Sequence, residues 1–378
     1  MSDLRSYFTQ QQDAMVQQLT KMVEYETFSI DKPRVDAFMD YMTSSVFEPN
    51  DANVTRHARE DVGDILQAIW NAEAPGKPIL ILGHGDTVWP FGTLAERPVT
   101  ITDDGLLYGP GALDMKGGLV VALFAIKGLM DRGELPNRPI HYLLTSDEEI
   151  SSRASEALIK ELAAESSLVL VMEPPTRDGS LKGWRKGSAT YELKVKGRAA
   201  HAGNEPEMGI NAIIEFAQQA LAINKLNDLK MGTSVCVNLV QGGSAGNVIP
   251  DLVTAHIDTR MMTMDAKARI DAALADLHPF LPGAEVIVTE KTSRPPMERN
   301  SELIDQIKAI GKANGITVRD DGAGGGSDGN FTAAMGIPTV DGLGPEGQGL
   351  HAQHEHVVIA SLPRKAALVA AIIRDWQG

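Results

Sequence analysis

The amino-acid sequence predicts an α/β protein: a domain built on a mostly parallel sheet, with a smaller α+β domain inserted into it. Two observations carry this reading. In the first half, short apolar runs alternate with helical patterns, as they do when helices cover both faces of a parallel sheet. From Gly187 to Thr292 the texture changes to strands in the order strand, helix, strand, strand, helix, strand, the split βαβ arrangement. The chain returns to α/β texture after Arg294, so the expected domains are 1–186 with 293–378, and 187–292.

Taken in order, PILIL (78–82), IHYLL (140–144), LVLVM (168–172) and IPTV (337–340) read as strands. Each is too short for a helix and continuous enough to be covered on both faces. Lys116 to Leu129 reads as a helix that is apolar on nearly all sides, hence buried. In the inserted segment TYELKVKG, SVCVNLVQGG, LVTAHIDTRM and AEVIVTE read as strands, and 208–226 and 265–278 as helices.

Composition narrows the function classes. A formal charge of -15 argues against a general nucleic-acid binder, which needs clustered Lys and Arg. With Cys236 the only cysteine there is no thiolate zinc cluster and no internal disulfide, which agrees with a reducing cytoplasm and turns any metal search to His, Asp and Glu. The N-terminal stretch MSDLRSYFTQQQDAMVQQL lacks the basic start and apolar run of a secretory signal. LVVALFAI (119–126) is too short to span a bilayer.

Three apolar strands are each followed at once by metal-ligand side chains: His84 and Asp86 after the first, Glu148 and Glu149 after the second, Glu173 after the third. In open α/β sheets, sites lie beyond the carboxyl ends of strands, so these groups are expected to converge. Asp114, where a loop enters the buried helix, and His351, after IPTV, are expected to join them. Two histidines and three carboxylates form a mixed nitrogen and oxygen donor set that suits two Zn²⁺ ions sharing one carboxylate. Singly, each motif has a plainer reading. A His near an Asp is usually a satisfied pair, an Asp-Glu-Glu run a helix start, and a Glu before prolines a turn. Their shared position at strand ends favours the site. Gly324-x-Gly326-x-x-Gly329 matches a dinucleotide fingerprint only formally, since no βαβ unit opens there. A glycine loop offering N–H groups to an anion and a plain flexible turn both remain open.

The motifs GHGDTV (83–88), YGPGALDMKGG (108–118), TSDEE (145–149), MEP (172–174), AAHAG (199–203), NVIP (247–250), DTR (258–260), GGGSDG (324–329) and His351 with Glu355 cover nearly the whole chain. In that order they resemble the zinc aminoacylase, acetylornithine deacetylase and glutamate carboxypeptidase family, its glutamate carboxypeptidase branch most of all. The resemblance implies a zinc-exopeptidase-like three-layer catalytic domain with a mostly parallel sheet, and a ferredoxin-like α+β lid and dimerisation domain. It implies that Asp114 bridges two Zn²⁺ ions, with Co²⁺ or Mn²⁺ as substitutes. One ion takes His84 and Glu173, the other Glu149 and His351. Glu148 is then the general base, Asp86 orients His84, and the Asp114-Met115 peptide is cis. Asn247, Arg260 and the N–H groups near Gly326 would hold a substrate carboxylate. Arg294, in RPP (294–296), would face an acidic side chain, a surface Arg before a turn being its other reading. His201 would act from the inserted domain, across a homodimer interface.

The implied activity is that of a cytoplasmic metallocarboxypeptidase releasing a C-terminal amino acid, glutamate among the candidates, from small peptides or N-acyl amino acids, with no nucleic-acid or membrane partner. Where several glutamate carboxypeptidases carry a Lys after the metal-binding Glu, TRDGSLKGWRKG (176–187) offers several basic side chains and no clean match. An N-acyl-amino-acid deacylase or dipeptidase is the close alternative. A non-catalytic metal-binding protein on the same fold is the alternative of another class, although Glu148 and every ligand position are occupied.

Overall fold

Neighbouring residues of a strand point to opposite faces, and here both faces are apolar. In the strand Ile79–His84 of the computed structural model, which describes residues 3–378, Ile79 and Ile81 enter one core while Leu80 and Leu82 enter another. Its neighbour Leu168–Val171 divides the same way, Leu168 and Leu170 against Val169 and Val171. Helices Gly117–Arg132 and Ser361–Asp375 contribute to the first core, and Glu156–Glu165 supplies Ile159 and Leu162 to the second. The result is three layers, as an α/β sheet buried on both faces requires.

Contacts divide the chain into two units. The first runs up to Trp184 and includes Arg299–Ala323 and Ser327–Gly378; the second is Arg185–Glu298 with Gly324–Gly326, beside the 187–292 set by the sequence. The first unit holds a six-stranded sheet in the order Asn53–His57, Ile65–Trp70, Ile140–Thr145, Ile79–His84, Leu168–Val171, Thr339–Val340. The last four strands are mutually parallel, and the first two add an antiparallel edge. His84 is in register with Thr145 and Leu82 with Val171, so the three strands that precede the predicted donors end level and side by side.

The helix Gly117–Arg132 is buried on nearly every side and stops at Gly133, whose φ of 65° favours glycine. Each fully buried Leu or Val along it contributes roughly 1.5–3 kcal/mol. Its start is pressed onto the end of the Leu168–Val171 strand: a Cβ on Gly118 would lie 1.9 Å from the Met172 carbonyl oxygen. Only glycine allows this approach, which fixes the loop of Asp114 relative to Glu173.

In the second unit four antiparallel strands run in the order Ser234–Gly242, Leu252–Met261, Gly187–Lys196, Glu285–Arg294. Gly187–Lys196 alternates strictly, sending Ala189, Tyr191, Leu193 and Val195 into a core with Ile223 of helix Ala212–Asn224 and Ile270 and Leu274 of helix Met264–Ala275. Among the described residues no helix is long and apolar enough to cross a membrane.

Candidate metal centre

The level strand ends bring His84, Glu148, Glu149 and Glu173 together, and the loop before the buried helix adds Asp114. Asp114 sits between two imidazoles: its Oδ1 is 3.3 Å from His84 Nε2 and its Oδ2 is 3.2 Å from His351 Nε2. Glu173 Oε1 lies 3.5 Å from His84 Nε2, while Glu149 Oε2 lies 3.1 Å from His351 Nε2. The donors thus sort into two sets that share Asp114. Donor atoms of His84, Glu148 and Glu173 all fall within 4.8 Å of one another, as do those of His84, Asp114 and Glu149, so Glu148 groups with Glu173 while Glu149 spans from Asp114 and His84 to His351. The Asp114-Met115 peptide is cis.

The electrostatics are those of an anionic cage. Burial opposes protonation of His84, yet Asp114, Asp86 and Glu173 hold its pKa well above the usual imidazole value. Asp114 and Glu149 raise His351 to about 10. Burial, with Asp114 and Glu148 adding to it, pushes Glu149 up to about 7 against the pull of His351. Asp114 is held low, its two imidazoles outweighing its burial. His84 Nε2 and Glu149 Oε1 are buried with no hydrogen-bond partner among the described residues. Orphaned donor atoms among excess carboxylates fit divalent cations, and the mixed imidazole and carboxylate set suits zinc.

Asp86 works differently from a simple partner of His84. His84 Nδ1 is 3.0 Å from the Asp86 backbone oxygen and 3.4 Å from Asp86 Oδ1. The fully buried carboxylate accepts from the N–H groups of Glu148 (3.3 Å) and Glu149 (3.2 Å) and from Ser29 Oγ (2.7 Å). It therefore orders both glutamates as well as the imidazole.

Glu355 is a second buried anchor. Its Oε1 accepts from the N–H groups of Leu113 (2.9 Å) and Asp114 (3.1 Å), and its Oε2 from Gly111 N–H (3.0 Å) and Trp89 Nε1–H (2.8 Å). The side chain pins the loop that presents Asp114. Sequence reasoning gave no role to Glu355, Ser29 or Trp89; it named Glu355 only beside His351, among the pieces that carry the family resemblance. It also left the basic run after Glu173 unassigned. Lys182 from that run is buried, with Nζ 3.9 Å from Glu173 Oε2.

The remaining predicted residues belong to the second unit. His201 is exposed, and its Nδ1 accepts from the N–H groups of Gly203 (3.1 Å) and Asn204 (3.0 Å), which leaves the ring proton on Nε2. Exposed Asn247 lends its carbonyl to Ala202 N–H at 2.9 Å. The Arg260 guanidinium is held by Asp258 through two contacts of 3.0 Å. Arg294 closes the strand Glu285–Arg294 opposite Ser188, and Gly326 accepts at its carbonyl from Arg185 Nη1 at 3.0 Å. In the first unit, the SDG end of the glycine run is structural: Ser327 Oγ donates to Asp341 at 2.6 Å and Asp328 accepts from Ser152.

A three-layer α/β sheet with imidazoles and carboxylates gathered at its strand ends defines a metallopeptidase-like enzyme. Residues 80–375 match the model for peptidase family M20/M25/M40, and the chain belongs to that family. It is similar to carboxypeptidase G2 of Pseudomonas sp. (strain RS-16), 31% identical over 97% of this chain and 90% of the relative. It is also similar to succinyl-diaminopimelate desuccinylase of Nitrosospira multiformis, 30% identical over 79% and 82% of the two chains. The crystal structure of aminopeptidase PepT from Bacillus cereus shares the fold, with a TM-score of 0.78 at 22% identity over 96% of this chain and 98% of that one. Enzymes of this family typically depend on two metal ions.

Proposed function

We propose that this protein is a two-zinc carboxypeptidase that releases a C-terminal amino acid from small peptides or N-acyl amino acids. The observation that carries the reading is Asp114, whose two oxygens face His84 and His351 separately, each imidazole with its own glutamate. His84, Glu173 and Asp114 would hold one ion, and Asp114, Glu149 and His351 the other. When bound, two such cations lower the pKa of water toward neutrality and polarise the scissile carbonyl.

Glu148 takes the proton of the attacking water and returns it to the leaving amine nitrogen. Asp86 holds the backbone of Glu148 so that this carboxylate stays on the His84 side. Asn247, Arg260 and the N–H groups near Gly326 receive the substrate carboxylate, the Arg260 fork exchanging Asp258 for it. Arg294 faces an acidic side chain where the substrate has one. His201, protonated at Nε2, donates to the developing oxyanion of the partner's site in a homodimer. Exposed Ile213, Ile214 and Leu221 on one helix, with Leu239 and Val240 on the edge strand, supply apolar surface for that pairing. The lone, unpaired Cys236 suits a cytoplasmic enzyme. The desuccinylase relatives favour a second reading, removal of an acyl group from an amino acid by the same site.

The test is a substrate panel of dipeptides and N-acyl amino acids, each as free acid and as C-terminal amide, offered to zinc-loaded protein. The proposal expects hydrolysis of the acids only. Equal turnover of the amides, or none of either, rejects it.

A further inference from the structure

Away from the metal centre, the first unit contains a cavity of about 490 Å³ whose polar lining is mainly cationic: Arg5, Arg319, Arg364 and Lys365 against the single carboxylate Glu346. Leu181, Ile316, Val318 and Leu368 supply its apolar wall. The volume lies within the roughly 300–1,000 Å³ of small-molecule sites. Glu346 is already engaged by Arg364 at 3.0 Å, and Arg319 has Asp178 at 3.7 Å. Arg5 donates to a carbonyl, that of Gly315 at 3.1 Å.

Lys365 is the informative residue. It is only 6% exposed, and its ammonium contacts the carbonyls of Gly342 (3.1 Å) and Gly179 (3.5 Å), with no ion pair among the described residues. An ammonium buried against carbonyls, with no carboxylate in direct contact, is costly. Burial, with Arg364 and Lys182 adding to it, lowers its pKa to about 8 against the pull of Glu346. Arg364 and Lys365 also lie near the start of the helix Ser361–Asp375, the end at which the helix dipole disfavours cations and favours an anion.

We infer that this cavity binds a small organic or inorganic anion, a carboxylate or phosphate group, between Lys365, Arg364 and Arg319. The bound anion gives Lys365 a direct ion pair where Glu346 acts on it only at a distance, and a short apolar portion of the ligand meets Leu181, Ile316 and Leu368. The site is separate from the metal donors but borders the segment that leads to them. Gly342 and Glu346 line or contact it, and Gly344 N–H between them donates to the Glu173 carbonyl at 2.8 Å.

The test titrates the full-length, zinc-loaded protein with inorganic phosphate and, separately, with succinate at constant ionic strength, following thermal unfolding. A saturable rise in Tm with phosphate alone identifies a phosphoryl site, and with succinate alone a carboxylate site. A rise with both identifies a general anion site. In each case Arg364→Gln and the more exposed Arg319→Gln should move the half-saturation point at least about tenfold higher, as the loss of a charge-assisted contact requires. No saturable rise with either probe, or a rise that both variants retain, overturns the inference.

Discussion

Replacing Glu355 by Gln changes one oxygen for an amino group and leaves the shape almost intact. Each carboxylate oxygen of Glu355 accepts two N–H donors, so whichever way the amide turns, one buried and one part-buried donor face an NH₂ group. A buried donor left unsatisfied costs about 1–3 kcal/mol and a part-buried one less, so the substitution should cost roughly 1–4 kcal/mol. Urea unfolding of the chelated protein measures this without a contribution from bound metal. Three of the four donors belong to the segment that presents Asp114, so zinc affinity should fall as well, tenfold for every ~1.4 kcal/mol that reaches the site. A stability loss under about 1 kcal/mol, with unchanged zinc affinity, would refute the view that Glu355 anchors the Asp114 loop.

Three further outcomes test the proposed centre. Wild-type protein should carry about two zinc ions per chain by elemental analysis, and Asp114→Ala should lose both, because each set is incomplete without the shared carboxylate; retention of both ions would exclude bridging. Glu148→Gln should keep its zinc and lose roughly 10²–10⁴-fold in turnover, the range for removing a general base, and near-normal turnover at saturating zinc would assign the base elsewhere. Mixing His201→Ala subunits with Glu148→Gln subunits, each nearly inactive alone, should restore activity. Confirmed heterodimers without recovery would confine His201 to its own chain.

The strand-end donors were legible because they depend on one local rule. An apolar run short enough to be a buried strand delivers the next polar residues to the sheet's edge, and Ile79–His84, Ile140–Thr145 and Leu168–Val171 obey it side by side. The antiparallel edge went unread. Asn53–His57 is mostly exposed and carries a weak apolar pattern, so what defines it is pairing with Ile65–Trp70, which sequence periodicity does not encode. Ser29 reaches Asp86, and Glu355 reaches Trp89 and Gly111, across separations that no motif spacing marks. Lys182 was one of several bases in TRDGSLKGWRKG, and only the fold distinguishes it from Arg185, which turns to the carbonyls of Gly325 and Gly326.

The two imidazoles are mounted very differently. His84 ends a strand buried on both faces and is 2% exposed, whereas the His351 side chain is 52% exposed on a turn with φ of 56°. Freeing the first ligand requires opening the sheet, while freeing the second requires only a loop to swing. The paired positions should therefore differ in kinetic lability, the His351 side exchanging its ion with solvent first. Brief exposure to a chelator followed by Co²⁺ would then yield a mixed-metal protein with the two elements in defined places, a spectroscopic handle on one half of the centre at a time.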